Sequence, residues 1–363
     1  MLFTQDTEAE LQLDLHKFKN TYNFKPRKDT HRHDKYLVMS CLQKSVRRGD
    51  LDHALYAAFL LKSHNDNCLW NRLKTIALED IGLANIPLAL QVLYVAGKRE
   101  WRNKHGGCAH ILSYLIHQLC NSTQSRTLDD ALYVAEYHPD YQEQRLIYSG
   151  MDETELYKLF LDQELNVIEQ VLVCRFLCGS RYSSQILELQ KRNPNILYDL
   201  AKAVGLPAPY YELLKLSKSQ EYFTALLPCL MAYEQASDLK VIEEDIDPAE
   251  LIAGLPAYTY DRHTRTGKQA FRRVLDTQPE INEFLKINAT DRDPVNLIGW
   301  AVFILEGQIL NERLTFKVNE HIRTQAAEAW LYSGGLPIDA QKEFLKLIVQ
   351  HRHDIDRARQ DIR

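Results

Sequence analysis

Glycine and proline are scarce in this chain of 363 residues, which contains 14 Gly and 12 Pro. The alternation of apolar and polar residues that indicates half-buried strands is also nearly absent. Folds built from many short strands need tight turns, and these two residue types supply most of them. Since helix-favouring residues are plentiful instead, we expect an all-α protein organised as a multi-helix bundle.

The sequence also lacks an uninterrupted run of roughly 18 apolar residues, the length of a membrane-spanning helix. Its N-terminus, MLFTQDTEAELQLDL, carries acids where a secretory signal would have a basic region followed by an apolar one. We therefore expect no membrane partner and a cytoplasmic location, associated with the nucleoid, or in the host cytoplasm if the gene belongs to a phage or mobile element.

The seven cysteines have neither the density of a disulfide scaffold nor the paired spacing of a zinc site. Cys174 and Cys178 lie one helical turn apart and are expected to pack together in the core. The two His-Arg-His-Asp tetrapeptides, at 31–34 and 351–354, are expected to be surface residues. The sequence therefore predicts no metal site and no cofactor.

A strongly basic segment is concealed by the formal net charge of −5. Between Lys17 and Arg48 there are ten Lys and Arg residues against two acids, with aromatic residues among them. This composition is typical of a segment that lies on a phosphate backbone and stacks on bases. The alternatives are an exposed arm without a partner and an arm docked on an acidic face of the same chain. The nucleic-acid-binding residues predicted in this segment are Lys25, Arg27, Lys28, Arg32, Lys44, Arg47 and Arg48.

Two further basic stretches contain aromatic residues, at 98–105 and 258–273. The second includes the sequence DRHTRTGK, and such a loop before a helix could hold a phosphate through backbone amides and its Arg and Lys side chains. A polar structural turn is the alternative for this loop. A catalytic role would require a second acid or metal ligands from elsewhere in the fold. The nucleic-acid-binding residues predicted in these stretches are Lys98, Arg99, Trp101, Arg102, Arg262, His263, Arg265 and Lys268.

Apolar residues recur at three- and four-residue steps along most of the chain, which predicts a succession of amphipathic helices. One helix is expected to end at Gly49 and the next to begin with Asp50 as its N-cap. Long helices are predicted over Glu153–Leu177 and Asp339–Ala358, and a short one over Ser183–Leu189. The acidic stretch 238–250 is expected to be a solvated linker or a helix start.

The segments HDKYLVMSCLQKSVRRGDLDHALY at 33–56 and RLKTIALEDIGLAN at 72–85 together resemble the start of the C-terminal domain of the RarA (MgsA) family. These proteins are AAA+ recombination factors related to clamp loaders. Their pattern is a Lys-Ser-(Ile/Val)-Arg stretch, a small-residue/Asp turn and an Ala-Leu-Tyr helix. A Ser-Glu-Asp-Ile-Gly-Leu-Ala run follows, in which Leu78 here replaces the serine. The similarity continues more weakly to Ala131.

This resemblance implies a helical domain like the clamp-loader collar, and it implies self-association. RarA-like proteins carry an ATPase before this domain, but no GxxxxGK[ST] phosphate loop occurs in the sequence, so ATP-driven activity is not expected. The predicted organisation is a basic N-terminal arm (1–33), a domain similar to the RarA C-terminal domain (34–140), a helical continuation (141–237) and a mostly helical C-terminal region (238–363).

Glu79 and Asp80 lie about one turn before Gly82, which is expected to end their helix. Acids are disfavoured at that end of a helix because they face the negative pole of its dipole. We therefore expect Glu79 and Asp80 to form a buried or half-buried ion pair with Arg47 or Arg72 between consecutive helices. This gives Glu79, Asp80 and Gly82 a structural role.

The sequence favours a non-enzymatic accessory factor of DNA metabolism, acting in replication, recombination, repair or transcription. Its expected partners are single-stranded DNA, a DNA-bound protein such as a single-strand-binding protein, a DNA polymerase or an RNA polymerase, or both. One alternative is a metal-dependent nuclease or other phosphoester enzyme centred on Asp261, His263 and Lys268. A second alternative is a purely protein-binding oligomeric adaptor.

Overall fold

The structure is a computed structural model that describes residues 5–21, 33–105, 107–161, 164–179, 192–290 and 293–362. Most of these residues are helical, which confirms the predicted all-α class. The helices of the N-terminal third are α1 (Gln5–Thr21), α2 (Lys35–Arg47), α3 (Leu51–His64), α4 (Asp66–Ile76), α5 (Ile86–Gly97), α6 (Arg99–Lys104) and α7 (Gly107–Cys120).

The remaining helices follow in two groups. Those of the middle third are α8 (Thr127–Tyr137), α9 (Gln142–Ser149), α10 (Glu153–Phe160), α11 (Val167–Cys178), α12 (Ile196–Ala203), α13 (Ala208–Ser217) and α14 (Phe223–Glu234). Those of the C-terminal third are α15 (Arg265–Thr277), α16 (Pro279–Asn288), α17 (Pro294–Val302), α18 (Lys317–Ser333), α19 (Ile338–Gln350) and α20 (Arg352–Gln360).

The turn between α2 and α3 has the predicted chemistry. Gly49 adopts a positive φ of 66° after the end of α2, a backbone conformation that glycine enters without steric cost. Asp50 is the N-cap of α3, and its carboxylate accepts a hydrogen bond from the backbone N–H of His53. These two residues reverse the chain, so α2 and α3 pack against each other as a helical hairpin.

Two long predicted helices are each divided in the structure. The helix predicted over Glu153–Leu177 ends at Phe160 and begins again at Val167, where Asn166 and Glu169 form a reciprocal capping box. The helix predicted over Asp339–Ala358 is interrupted at His351, between α19 and α20. The helix predicted over Ser183–Leu189 lies outside the described residues.

The predicted N-terminal arm is partly a packed helix. On α1, Leu11, Leu15 and Phe18 are buried, and the helix packs against α7. Glu8 on α1 accepts a hydrogen bond of 2.7 Å from the indole Nε1 of Trp101. Residues 8–19 of the predicted N-terminal arm are therefore part of a helix that a three- and four-residue spacing of apolar side chains anchors to the core, and the alternative of an exposed arm does not hold for them.

Two short antiparallel sheets accompany the helices. Strand β1 (Lys240–Glu243) pairs with β4 (Glu312–Thr315), and β2 (Leu251–Ile252) pairs with β3 (Leu255–Pro256). The acidic stretch predicted as a linker or helix start thus contains a strand. Its Glu244 accepts a hydrogen bond of 2.8 Å from Nε of Arg313, which ties the stretch to β4.

One apolar core extends from Leu11 on α1 to Ala358 on α20. It crosses the predicted domain boundaries, since α8 packs against both α11 and α18, and α5 packs against α13. Cys174 and Cys178 are buried in this core on α11, as predicted, and burial raises the pKa of both thiols. The four predicted regions therefore share a core across the described residues.

Residues Asp66–Gly97 meet the length and composition of a membrane-spanning helix. They are not one regular α-helix, because a π-helical turn (Ala77–Ile81) and a 3-10 turn (Gly82–Asn85) separate α4 from α5. Within their most apolar window, 72% is buried inside the protein. The apolar composition of this segment is accounted for by its position in the core.

Gly82 follows the π-helical turn with φ 48° and ψ −122°. A Cβ atom at this position would lie 2.8 Å from the backbone oxygen of Ser125. The backbone there is held close, since the N–H of Ser125 donates a hydrogen bond of 2.8 Å to the carbonyl of Asp80. Only glycine satisfies both the dihedral angles and the contact.

We expect Gly82→Ala to lower the free energy of unfolding by about 1–3 kcal/mol, because the substitution adds backbone strain and a close contact. Urea denaturation measures this change. The matched control is Gly97→Ala at the end of α5, where a Cβ meets nothing within 4 Å. The control is expected to leave the stability unchanged or to raise it by up to about 1 kcal/mol. Equal effects of the two substitutions would contradict this account of Gly82.

Candidate functional site

A cavity of about 530 Å³ lies between α2, the π-helical turn Ala77–Ile81, the loop before α15, α17 and α18. Its lining combines charged and aromatic side chains. The cationic side chains that line it among the described residues are Lys44, Arg47, Arg72, Arg126 and Arg262. The carboxylates that line it are Glu79, Asp129 and Asp261.

One wall of the cavity is a buried cluster of two arginines and two acids. Arg47 donates from Nε to Asp80 at 2.6 Å and from Nη2 to Glu79 at 2.7 Å. Nη1 of Arg126 lies 2.9 Å from Glu79 and 3.0 Å from Asp80. The ion pair that the sequence predicts between Arg47 and these acids is therefore present. Arg126 is a partner that sequence reasoning missed.

Further hydrogen bonds complete this ion cluster. The amide of Gln43 donates to Asp80 at 2.9 Å, and the hydroxyl of Tyr222 donates to Glu79 at 2.7 Å. Arg126 also pairs with Asp129, one turn into α8. Because these donors come from α2, the residue before α8 and the residue before α14, the cluster joins segments that are far apart in sequence.

The acids of the ion cluster differ in their pKa. Burial would raise the pKa of Glu79, but the nearby Arg126 and Arg47 outweigh it and hold the pKa below its ordinary value. For Asp80, burial and the neighbouring Glu79 outweigh the arginines and raise the pKa. Charged acids close together compete for the same cations, so the two shifts have opposite directions.

A second ion pair closes another part of the cavity. Nζ of Lys44 lies 2.5 Å from Oδ2 of Asp261, and both side chains are buried. Lys44 also donates to the hydroxyl of Ser40 at 3.1 Å. Burial lowers the pKa of Lys44 to about 8, although Asp261 opposes the shift. The pKa of Asp261 is lowered, because Lys44 and His263 outweigh the effect of its burial.

Arg262 and His263, which follow Asp261, both face the cavity. The guanidinium carbon of Arg262 lies 3.3 Å from the ring centroid of Trp300, and Nη2 donates to the Asn296 side chain at 2.6 Å. Burial lowers the pKa of Arg262 to about 10. For His263, desolvation of the ring and the cations Arg262 and Lys44 outweigh Asp261 and lower the pKa.

The structure corrects several predicted nucleic-acid-binding residues. Lys44 and Arg47 are buried in the ion pairs described above. Trp101 is buried against α1, and Arg102 is buried with its guanidinium over the Trp70 ring while it donates to the carbonyls at the end of α5. These four side chains hold the fold together and are not displayed on the surface. Residue type alone does not distinguish a cationic or aromatic side chain that supports the fold from one that binds a nucleic acid.

Other predicted residues lie nearer the surface. Lys98, Arg99, Arg265 and Lys268 are exposed. Arg48 is half-buried, with its guanidinium over the Tyr258 ring and a hydrogen bond of 2.9 Å to the carbonyl of Glu306. The predicted residues that lie outside the described ones are Lys25, Arg27, Lys28 and Arg32.

The residues of the alternative phosphoester site are not all brought together. Asp261 and His263 line the cavity, whereas Lys268 is exposed on α15 and is not part of its lining. Asp261 is already bound by Lys44, and its other oxygen accepts the backbone N–H of His263 at 2.9 Å. In the part of the chain that the structure describes, no three His, Cys, Asp or Glu side chains cluster in a way that could hold a metal ion.

We expect Lys44→Met to lower the free energy of unfolding by about 3–5 kcal/mol, since it leaves Asp261 charged and buried without a partner. The double variant Lys44→Met/Asp261→Asn is expected to recover at least half of this loss, because it also removes the carboxylate charge. Urea denaturation measures both. Lys268→Met, on an exposed lysine, is the control and is expected to change stability by less than about 0.5 kcal/mol. A double variant no more stable than the single one would refute the pairing.

Comparisons with models of known protein families, with curated proteins and with solved structures give no match for this chain.

Proposed function

We propose that the chain is a non-enzymatic accessory factor of DNA metabolism that binds single-stranded DNA on the exposed face of α15. The resemblance of 33–131 to the RarA C-terminal domain supports the DNA context. The observation that carries the proposal is a row of three cations on α15 that have no carboxylate partner among the described residues, namely Arg265, Lys268 and Arg272.

The spacing of these three cations places them on one face of the helix. They occupy positions i, i+3 and i+7, which lie close to one another around a helix, and they extend over about 10 Å along its axis. The opposite face of α15 is anchored in the core by Phe271 and Val274. A rigid row of cations without internal counterions is suited to a phosphate backbone.

The neighbouring helix α20 packs against α15 and extends the basic surface. Its Arg352, His353 and Arg357 are exposed. Arg352 and Arg357 have carboxylates 3.5–3.8 Å away, and such exposed pairs contribute little stabilisation. We therefore assign the main phosphate contacts to α15 and a secondary contribution to α20.

The proposal gives the basic segment before α2 a supporting role. Lys25, Arg27 and Lys28 of this segment lie outside the described residues. Their contribution to DNA affinity is therefore measured separately from that of α15, by the charge-reversal variant below. A DNA-bound protein as the actual partner, and self-association of the chain, stay predictions. The metal-dependent alternative has no observation in its favour, since Asp261 is bound by Lys44.

We expect a labelled oligo(dT) to bind the protein with an affinity that falls steeply with salt, as measured by fluorescence anisotropy. The triple variant Arg265→Gln/Lys268→Gln/Arg272→Gln should bind more weakly. It should also reduce the slope of log K against log[salt] by up to about 2, since each lost phosphate contact removes roughly 0.7 for a single strand. Charge reversal at Lys25, Arg27 and Lys28 measures the contribution of the N-terminal segment in the same assay.

The control variant is Lys158→Gln/Lys202→Gln/Lys342→Gln, which removes the same charge from exposed positions on α10, α12 and α19. It is expected to leave the slope unchanged. Equal slopes for the two triple variants would mean that net charge, and not the α15 face, determines binding. If the unmodified protein shows no measurable binding at low salt, DNA binding by this chain is excluded and the protein-binding adaptor replaces it.

A further inference from the structure

Two of the arginines in the cavity lack an anionic partner. Nη1 of Arg72 donates to the Gln43 side chain at 3.0 Å, and Nη2 of Arg262 donates to the Asn296 side chain. Among the described residues, neither forms an ion pair with a carboxylate. By contrast, Lys44, Arg47 and Arg126 each have one or more. Arg72 and Arg262 therefore place unbalanced positive charge in a partly desolvated space.

Unused hydrogen-bond donors accompany this charge. The Nε atoms of Arg72, Arg126 and Arg262 are buried and have no hydrogen-bond partner in the described part of the chain. Arg126 itself is 95% buried, with a relative exposure of 5%. A buried donor without an acceptor is destabilising. The same holds for the Nε atoms of Arg102 and Arg145, which lie outside the cavity lining, so the unpaired charge of Arg72 and Arg262 is what favours an anion in the cavity.

The planar guanidinium fork binds phosphate and carboxylate groups through paired hydrogen bonds. The carboxylates already in the cavity do not supply this partner, because Glu79 and Asp129 are bound by Arg126, and Asp261 is bound by Lys44. The guanidinium groups that line the cavity without a carboxylate partner therefore favour the binding of an anion from outside the chain.

The size of the cavity indicates that the ligand is larger than the anionic group alone. A volume of about 530 Å³ corresponds to roughly 18 water molecules at about 30 Å³ each, and falls in the range of small-molecule sites. Aromatic rings cover much of the remaining wall. The aromatic side chains that line the cavity are Tyr36, Tyr133, Tyr222, Trp300, Phe303 and Trp330.

Tyr36 differs from the other aromatic side chains of the cavity because it is 56% exposed. Trp300 and Trp330 stack on each other at 5.7 Å, and Phe303 packs edge-on against both. These three rings pack against one another in the core. Tyr36, in contrast, lies in the first turn of α2, with Nζ of Lys35 4.9 Å from its ring centroid. An exposed ring beside an anion-binding cavity is a platform on which a flat base can stack.

We infer that this cavity binds a nucleotide, with its phosphate on Arg72 and Arg262 and its base against Tyr36. The inference goes beyond DNA binding by α15 and does not depend on it. Two sources could supply the same chemistry, a free nucleotide and the phosphorylated end of a DNA strand. The loop Asp261–Thr264 connects the cavity to the start of α15, which makes the end of a bound strand a reasonable second source to test.

Isothermal titration of the full chain with dAMP tests the inference, and tryptophan fluorescence provides a second readout because Trp300 and Trp330 line the cavity. We expect saturable binding of one dAMP per chain. Deoxyadenosine and inorganic phosphate should each bind at least about tenfold more weakly, since each lacks one of the two recognised groups. Comparable affinity for deoxyadenosine and dAMP, or no heat or fluorescence change at millimolar dAMP, would overturn the inference.

The contacts are tested with single variants. Arg262→Gln and Arg72→Gln should each weaken dAMP roughly 10- to 100-fold, the effect of losing a charged hydrogen-bond partner. Tyr36→Ala should weaken dAMP by about fivefold or more while leaving inorganic phosphate unaffected. The matched control is Lys342→Gln, which removes one exposed positive charge outside the cavity lining, and it should leave dAMP binding unchanged. Unaltered dAMP affinity in both arginine variants would refute the assignment.

The two sources are separated by competition of dAMP with an oligo(dT) that carries either a 5′-phosphate or a 5′-hydroxyl. Displacement of dAMP by the phosphorylated strand alone assigns the strand end as a ligand, and no displacement by either strand assigns the free nucleotide. The α15 triple variant should bind DNA more weakly and retain dAMP binding. Failure of the DNA proposal would thus leave dAMP binding intact, whereas failure of the cavity inference would leave the salt-dependent DNA binding intact.

Discussion

The ion cluster of Arg47 and Arg126 with Glu79 and Asp80 is the constraint on which the arrangement of the cavity depends. Each arginine contacts both acids, so neither acid can move without leaving a buried charge unpaired. Removing one partner from such a group is far more destabilising than replacing the whole group by apolar side chains. The main effect of the cluster is therefore to fix the geometry of the fold. It holds α2, the π-helical turn and the residue before α8 in one arrangement.

The π-helical turn Ala77–Ile81 places two consecutive acids, Glu79 and Asp80, in this cluster. Consecutive residues on a regular α-helix point about 100° apart, and the wider turn here allows Glu79 and Asp80 both to reach the arginines. Gly82 then redirects the chain with a positive φ. A second π-helical turn, Phe303–Gly307, also faces the cavity through Phe303, and its last carbonyl accepts a hydrogen bond from Arg47. Irregular helical turns often occur at functional sites, and here two of them border the same cavity.

Local features of this fold were accessible from the sequence, whereas most partners distant in sequence were not. The helical periodicity and the Gly49-Asp50 turn depend on short spacings. The pairing of Arg47 with Glu79 and Asp80, which are 32 and 33 positions away, was expected because two acids near a helix end need a cation. The Lys44–Asp261 pair joins residues 217 positions apart, and no spacing rule anticipates it. Arg102 illustrates a second limit, because a basic and aromatic stretch has the same composition whether it faces DNA or covers a helix end. The break between α10 and α11 did have a signal, since Asn166 and Glu169 are the two residues of a capping box.

The cations of this protein are divided into two groups by their counterions. Arg47, Arg126 and Lys44 are neutralised within the fold, and their replacement is expected to change stability first. Arg72 and Arg262 in the cavity, and Arg265, Lys268 and Arg272 on α15, are not neutralised by any carboxylate among the described residues. Since a cation that the fold does not neutralise retains its attraction for an external anion, the absence of an internal partner is a better criterion than basic composition for choosing the residues to test for binding. The net charge of −5 does not reveal this division, because it sums over all cations whether or not the fold neutralises them.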